Sequence, residues 1–324
     1  MINHSEVEFN LQDAAQRIKL KAISLGFSAC GIAPVHSLAE DARFMQQWLQ
    51  KRNHGMMTYL ERYGEQRENS DLLVDNARSV IVVLYSYLWG QQQPEGAPKV
   101  AKYTYGDDYH YVVKQKLKQL SDYINLSIAP MNGRAFCDTA PVFERRWAQQ
   151  AGLGWIGTNK CFIHPEYGSF FVIGELIVDL EVAYDKPLEG DCGNCGLCVA
   201  ACPTHALTPA GEFDATRCIS YQTIESKEDI PTQLKSLLHG YVAGCDICQD
   251  VCPWNRNLMI KLNPSEPARD LVWEMTNADW HSISNAQYKK LLKNSSLRRI
   301  SYKKMRMNLQ ANPINFPDVK NKTK

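Results

Sequence analysis

The sequence predicts a layered domain of mixed helix and strand, α/β or α+β, followed by a small cysteine-rich module and a helical, basic tail. Three observations lead there. Strand-like and helix-like stretches alternate up to residue 180, the signature of a layered domain. Eight of the eleven cysteines then fall between Cys192 and Cys252. From Lys289 onward, Lys289, Lys290, Lys293, Arg298, Arg299, Lys303, Lys304, Arg306, Lys320, Lys322 and Lys324 face the lone acid Asp318. With 324 residues, 44% of them hydrophobic, the chain can build one large core and one small one.

Taken in order, Asn10 is placed to cap a helix with Asp13 in its first turn. Leu11, Ala14, Ile18, Ala22 and Leu25 form its apolar stripe, and Gly26 ends it. Residues 28–33 read as a short strand. Residues 38–51 read as a second helix burying Phe44, Trp48 and Leu49, and a third short helix opens at His54 and runs to Tyr63. Residues 79–88 are nearly continuous in β-branched and aromatic side chains, which predicts a central strand covered on both faces. A loop with Pro94, Gly96 and Pro98 leads to an aromatic-rich segment at residues 102–111, which opens a long helix marked by Val112, Leu117, Leu120 and Ile124.

Residues 134–137 predict another strand, with the turn Asp138-Thr139-Ala140-Pro141 at its carboxyl end. A helix then begins near Pro141 and runs to Gly152. Gly152, Gly154 and Gly157 force a tight backbone path, and residues 162–180 read as a hairpin turning at Tyr167-Gly168. The start of the chain lacks the basic end and apolar run of a signal peptide. Residues 80–89, the most apolar stretch, are too short to span a bilayer, so no membrane role is expected. Cysteines without a secretory signal point to a reducing, cytoplasmic setting. There is no Gly-rich dinucleotide fingerprint and no P-loop, which argues against a nicotinamide enzyme or an ATPase. Net charge is +1 and favours no partner; the basic tail fits phosphate binding or a solvated helix face equally well.

The cysteines carry the strongest chemical signal. Cys192, Cys195, Cys198 and Cys202, with Pro203 behind the last, follow the spacing of bacterial ferredoxins, in which the fourth thiolate serves a second cluster. Cys245, Cys248 and Cys252 repeat the second half and end in Pro253, while Cys218 stands between the groups. Crossing the fourth ligands gives Cys192, Cys195, Cys198 and Cys252 to one 4Fe–4S cluster, and Cys202, Cys218, Cys245 and Cys248 to the other. Four-cysteine zinc sites use paired knuckles without the third close thiol. Disulfide frameworks belong to small secreted domains. Cys30, Cys137 and Cys161 lie outside this set, flanked by apolar residues, and read as small core hydrophobes.

Clusters move single electrons, so the large domain should hold a second redox centre or a docking face. Asp138 is the candidate acid. An acid on the loop after a strand is where open sheets place reactive groups, and desolvation by Phe136, Trp147 and Trp155 would make it hold its proton. The competing reading is a helix cap for the segment starting near Pro141. Asp108-Tyr109-His110 comes close to the Asp-x-His-x-x-Gly pattern that offers a histidine to cobalt, but Val113 replaces the glycine; His110 is expected to open a helix instead.

Several segments together resemble the epoxyqueuosine reductase family. They are residues 138–141, Glu144, 151–157, 166–169, Gly174-Glu175, 202–204, 217–221, 223–225, 244–249 and Cys252-Pro253, within a similarity spanning residues 11–309. That resemblance implies an α+β fold: a nitroreductase-like, corrinoid-binding catalytic domain at 1–185, a ferredoxin-like two-cluster module at 186–260 and a basic helical segment at 261–324. It implies an enzyme related to reductive dehalogenases that reduces epoxyqueuosine to queuosine in the anticodon loop of tRNA, the last step in making queuosine. Its cofactors would be cobalamin, used as base-off cob(I)alamin with no protein histidine on cobalt, and two 4Fe–4S clusters. A low-potential donor such as ferredoxin or flavodoxin would feed a monomeric, cytoplasmic protein. Carried onto this chain, Asp138 becomes the proton donor, with Arg67, Ala101, Phe162, Ser220 and Asp246 near the corrin. Gly157-Thr158-Asn159-Lys160 departs from the commoner Gly-Lys-Asn, and no helical-repeat extension follows. Two other readings remain: a corrinoid reductase of a small molecule, and a two-cluster electron carrier without catalysis.

Overall fold

The computed structural model describes residues 9–88, 92–256, 258 and 272–312. The expected positions of Trp89, Lys320, Lys322, Lys324 and Asp318, and the boundary between residues 260 and 261, lie outside them.

Asn10 caps α1 (Leu11–Ser24) as expected, accepting the amides of Gln12 and Asp13 at 3.0 Å. Ala14, Ile18 and Ala22 are buried, while Leu11 stays exposed at the rim. β1 (Ala29–Pro34) pairs antiparallel with β2 (Ser79–Ser86), and β2 with β7 (Phe171–Val178). β7 in turn pairs antiparallel with β4 (Gly133–Phe136), giving the order β1-β2-β7-β4.

Every residue of β2 is buried, because the sheet is covered on both faces. Ile81, Val83 and Tyr85 face α1 and α4 (Tyr109–Ser127), packing with Ile18, Leu117 and Leu120. Val80, Val82 and Leu84 face Trp147 and Ala148 of α5 (Glu144–Gln150). Each fully buried aliphatic side chain is worth roughly 1.5–3 kcal/mol. Two facing cores of such residues therefore fix the strand register, since a one-residue slip would exchange them.

The structure corrects several local expectations. α2 (Ala39–Gln50) leaves Phe44 exposed; Trp48 instead donates its indole N–H to the Phe213 carbonyl at 2.6 Å. The short third helix is broken into a 3₁₀ turn (Thr58–Glu61) and α3 (Gly64–Glu68). The helix expected from Pro141 starts only at Glu144. Residues 162–180 are not one hairpin. β6 (Phe162–Ile163) pairs back onto β5 (Trp155–Ile156), a tight turn joins His164 to Gly168, and β7 runs on into the main sheet. Gly154, at φ 154°, explains the β5–β6 approach: a Cβ there would lie 2.0 Å from the Ile163 carbonyl oxygen.

The cysteine module is built into this sheet domain. β3 (Lys99–Val100) pairs in parallel with β8 (Tyr241–Ala243). Between them in sequence lie α6 (Leu197–Ala201), a π-helical turn at Tyr221–Glu225 and α7 (Thr232–Lys235); α8 (Ile247–Asp250) follows β8. The closing helices α9 (Asn277–Ser282), α10 (Asn285–Leu291) and α11 (Tyr302–Ala311) pack Trp280, Tyr288 and Met305 onto Val100, Val242 and Ala243. Buried Asn308 ties them down by donating to the carbonyls of Thr223 and Val242, both at 2.8 Å. No helix among the described residues is long and apolar enough to cross a membrane.

Candidate active site and cluster cysteines

Asp138 stands just past β4 with a left-handed backbone, φ 59°, a conformation a side chain adopts at a cost of about 1–3 kcal/mol. It does not cap α5, whose N-terminal position is held by Phe143. Its own amide donates instead to Glu144 Oε1, so the strained turn is held from behind by the first residue of α5. In front, Asp138 Oδ2 accepts the Tyr109 hydroxyl at 2.8 Å and faces His110 Nε2 at 2.9 Å. His110 Nδ1 meets Asp108 Oδ1 at 2.7 Å, and Asp108 caps α4 through the His110 amide.

These contacts work against the expectation that desolvation would make Asp138 hold its proton. Desolvation does push its carboxyl upward, but the hydrogen bonds from His110 and Tyr109 outweigh it, and the group lies below the ordinary aspartate range. The opposite holds one layer deeper. Burial, with Asp138 adding to it, raises Glu144 to about 8. Glu175, fully buried on β7 with neither carboxyl oxygen bonded, is raised well above the ordinary range by the same burial and by Glu144.

The far side of the opening is built by the module and the closing segment. Arg299 donates to Glu225 on the π-helical turn at 2.6 Å, lies over the Tyr59 ring at 5.8 Å and acts electrostatically on Asp138. From Asp138 a run of aromatic contacts leads inward. Tyr109 meets Tyr103 at 5.9 Å, and Tyr103 meets Tyr87 at 6.3 Å. The Tyr87 hydroxyl accepts from Gln249, next to Cys248, at 3.4 Å.

The eight thiols of the module lie within electrostatic reach of one another in a chain of neighbours. Cys252 packs with Cys192 around Trp155 and lies within electrostatic reach of Cys192 and Cys195; Cys198 reaches Cys192. Cys218 reaches Cys202 and Cys248, and Cys245 reaches Cys218 and Cys248. Cys198 also reaches Cys248. Among the described residues no three ligand-type groups converge on a single ion. Gly193 and Gly196, both at positive φ with open space around them, let the backbone turn between the first thiols.

Of the other three cysteines, Cys137 is buried and Cys30 lines the first core, its thiol raised to about 12 by burial. Cys161 is different: it lies within hydrogen-bonding reach of the Cys248 thiol, beside Asn159, whose amide reaches the Cys248 carbonyl at 3.3 Å. Lys160 of the same turn donates to the Gly211 carbonyl at 2.6 Å.

The remaining sequence-predicted residues are mostly buried. Arg67 is buried and donates to the carbonyls of Tyr59, Leu60 and Arg62. Phe162 lies in the second core against Phe171. Ala101 and Asp246 are buried and brought together: Asp246 Oδ2 accepts the Lys102 amide at 2.8 Å. Ser220 alone of the five is partly open. His110, with a carboxylate oxygen at each ring nitrogen, has no nitrogen left for cobalt. His110 is therefore not available as a ligand to the metal of a bound corrinoid.

Comparison with known proteins bears on both regions. Residues 191–255 match the family described as the 4Fe-4S double cluster binding domain, and residues 67–139 match epoxyqueuosine reductase QueG. An epoxyqueuosine reductase of Cellulophaga algicola is 42% identical over 293 residues, covering 90% of this chain and 95% of that one. A crystal structure of epoxyqueuosine reductase with an epoxyqueuosine-modified tRNA-Tyr stem loop superposes at TM-score 0.80 and 26% identity, covering 93% of this chain and 81% of that one. The Bacillus subtilis enzyme, with its catalytic aspartate loop swung out of the active site, gives TM-score 0.83 at 25% identity, with the same coverage of both chains. A catabolic reductive dehalogenase, 17% identical, shares the fold at TM-score 0.51 over 78% of this chain and 33% of its own.

Proposed function

The chain belongs to the epoxyqueuosine reductase family, and on that premise we propose that it reduces epoxyqueuosine to queuosine in the anticodon loop of tRNA. Both carbon–oxygen bonds of the epoxide break, a carbon–carbon double bond forms, and the oxygen leaves as water after two electrons and two protons have been added. The observation that carries this reading is the run from Asp138 through Tyr109, Tyr103 and Tyr87 to Gln249, which joins an acid site to the cysteine module.

Cys192, Cys195, Cys198 and Cys252 hold one 4Fe–4S cluster; Cys202, Cys218, Cys245 and Cys248 hold the other. Cys195 is exposed and marks the side at which a donor of the ferredoxin or flavodoxin type delivers electrons. Asp138 and Ser220 would hold the cobalamin, with the buried Arg67, Ala101, Phe162 and Asp246 supporting its site. When bound, the cofactors supply the low-potential electrons and the reducing metal centre. The protein's part is to hold the substrate, exclude water and place a proton at Asp138. It works as a monomer in the cytoplasm.

Substrate delivery falls to the outward side of the closing segment. Lys289, Lys290, Arg298 and Lys303 are exposed there. Lys304 is not part of that surface: it is buried, with its ammonium on the Glu228 carbonyl at 2.7 Å, and Arg306 donates to the His281 carbonyl at 2.8 Å.

The test is an anaerobic assay of reconstituted protein with cobalamin, a strong reductant and an epoxyqueuosine-bearing stem-loop, read by mass. Loss of one oxygen is expected. Protein that carries about eight irons, as two cubanes require, yet binds no corrinoid would overturn the reading and leave only an electron carrier.

A further inference from the structure

Removing an epoxide oxygen as water consumes two protons, and the Asp138 carboxyl, favoured in its charged form, must be supplied with each. Beside Asp138 the structure provides a second donor. His110 Nε2 lies 2.9 Å from Asp138 Oδ2 and Nδ1 lies 2.7 Å from Asp108 Oδ1. A neutral imidazole has one N–H and one lone pair, and here the lone pair would point at a carboxylate. Only the imidazolium donates at both ends. The Tyr109 ring stacks on His110 at 4.1 Å and its hydroxyl donates to the same Oδ2, while 49% of the Asp138 side chain stays exposed.

We propose that His110 is the proton reserve of the reaction: its imidazolium, oriented by Asp108, recharges Asp138 each time the carboxyl gives a proton to the substrate oxygen. The inference rests on the reductase reading above. In each transfer the Nε2–H bond breaks and an O–H bond forms at Oδ2. The carboxyl turns over and hands that proton to the oxygen, and the neutral imidazole takes another from solvent. Two such transfers balance the two electrons from the external donor. His110 acts through Asp138 and does not touch the substrate.

The surroundings suit a standing positive charge. Asp108 and Asp138 face the ring, Glu144 feels its charge electrostatically, and Arg298 and Arg299 act on the two aspartates from beyond. Burial works against the imidazolium, but the hydrogen bonds to Asp108 and Asp138 outweigh it and raise the ring to about 9. The ring is also partly open, with 24% of its side chain exposed, so solvent can reload it. Removing the proton source lowers the chemical step by a factor typical of a lost acid–base partner, about 100-fold.

The experiment uses full-length reconstituted protein and compares wild type, His110→Gln and Asp138→Asn in single-turnover rate against pH, with corrinoid and stem-loop binding as controls. His110→Gln should bind both and turn over slowly, without the wild-type fall in rate as pH rises through about 9. Nitrogen-15 spectra of the wild-type histidine rings test the same point without catalysis, and without a variant that must fold. They should show one ring protonated at both nitrogens at neutral pH, lost in His110→Gln and titrating lower in Asp138→Asn. A wild-type rate and pH profile in His110→Gln, or a neutral ring at position 110, would overturn the inference while leaving Asp138 in place. An Asp138→Asn protein with full turnover would overturn the reductase assignment of Asp138, and this inference with it.

Discussion

Asp138 has two sides, and they treat charge in opposite ways. In front, His110 and Tyr109 bond to the carboxyl, Arg299 adds a positive field, and the charged form is favoured despite desolvation. Behind, burial drives Glu144 and the core residue Glu175 toward the neutral form, the Asp138 amide, Arg145 and His110 only partly opposing it at Glu144. Glu144 and Asp138 are six residues apart, so partner geometry rather than sequence neighbourhood sets the difference. The front side manages the proton. The back side manages the loop, because Glu144 accepts the amide of a residue held at positive φ.

The largest break in this comparison comes from Asp138→Asn. Corrinoid and stem-loop should still bind, while turnover falls by about 100- to 10,000-fold, the range for a removed acid. Single-turnover kinetics check it. Next is Glu144→Ala, which releases the loop. A lost hydrogen bond between neutral groups is worth about 0.5–1.5 kcal/mol, so the docked loop and the rate should drop about two- to tenfold. Glu144→Gln keeps an acceptor and should recover most of that loss. Hydrogen exchange at residues 138–141 should rise in the alanine variant alone.

Glu175→Gln probes the back without touching the loop. A carboxyl whose folded pKa is raised gives its full stability below the unfolded value near 4.5. That stability is lost as pH rises through the folded value, about 8 for Glu144, because over this window the unfolded chain gives up the proton first. The wild-type melting temperature should therefore fall across that window, and Glu175→Gln should flatten the fall. The smallest expected effect lies on the front rim. Reversing Arg298 and Lys303 should weaken stem-loop binding and make the slope of log affinity against log salt shallower by about one unit for each phosphate no longer neutralised. An unchanged slope would mean that these residues are a solvated face.

The cysteine module was the most legible part of the chain, because its ligands sit a few residues apart and spacing alone groups them. The central strand was equally plain: a doubly covered strand needs apolar side chains on both faces, and residues 79–86 have them. The Asp138 site was legible only in part. Its acid could be found at the end of a strand, but His110 joins it from the first turn of α4, twenty-eight residues away, and no local pattern links the two. His110 does open a helix, as its place in the sequence predicts; its bond to Asp138 exists only in the folded sheet. Phe44 shows the same limit from the other side. It continues an apolar pattern, yet α2 turns that face to solvent and uses Trp48 to reach the module instead.

The β3–β8 pairing bears on how electrons travel. Lys99–Val100 of the sheet domain and Tyr241–Ala243 of the module share one ladder, and the Lys102 amide is pinned to Asp246 beside the second group of thiols. This shared ladder ties the redox module to the domain that carries the acid site, so the spacing between donor and acceptor is built in when the chain folds rather than reached by docking. Cutting the protein into its two halves would leave each with an unsatisfied edge, and current should cease even if both halves kept their cofactors.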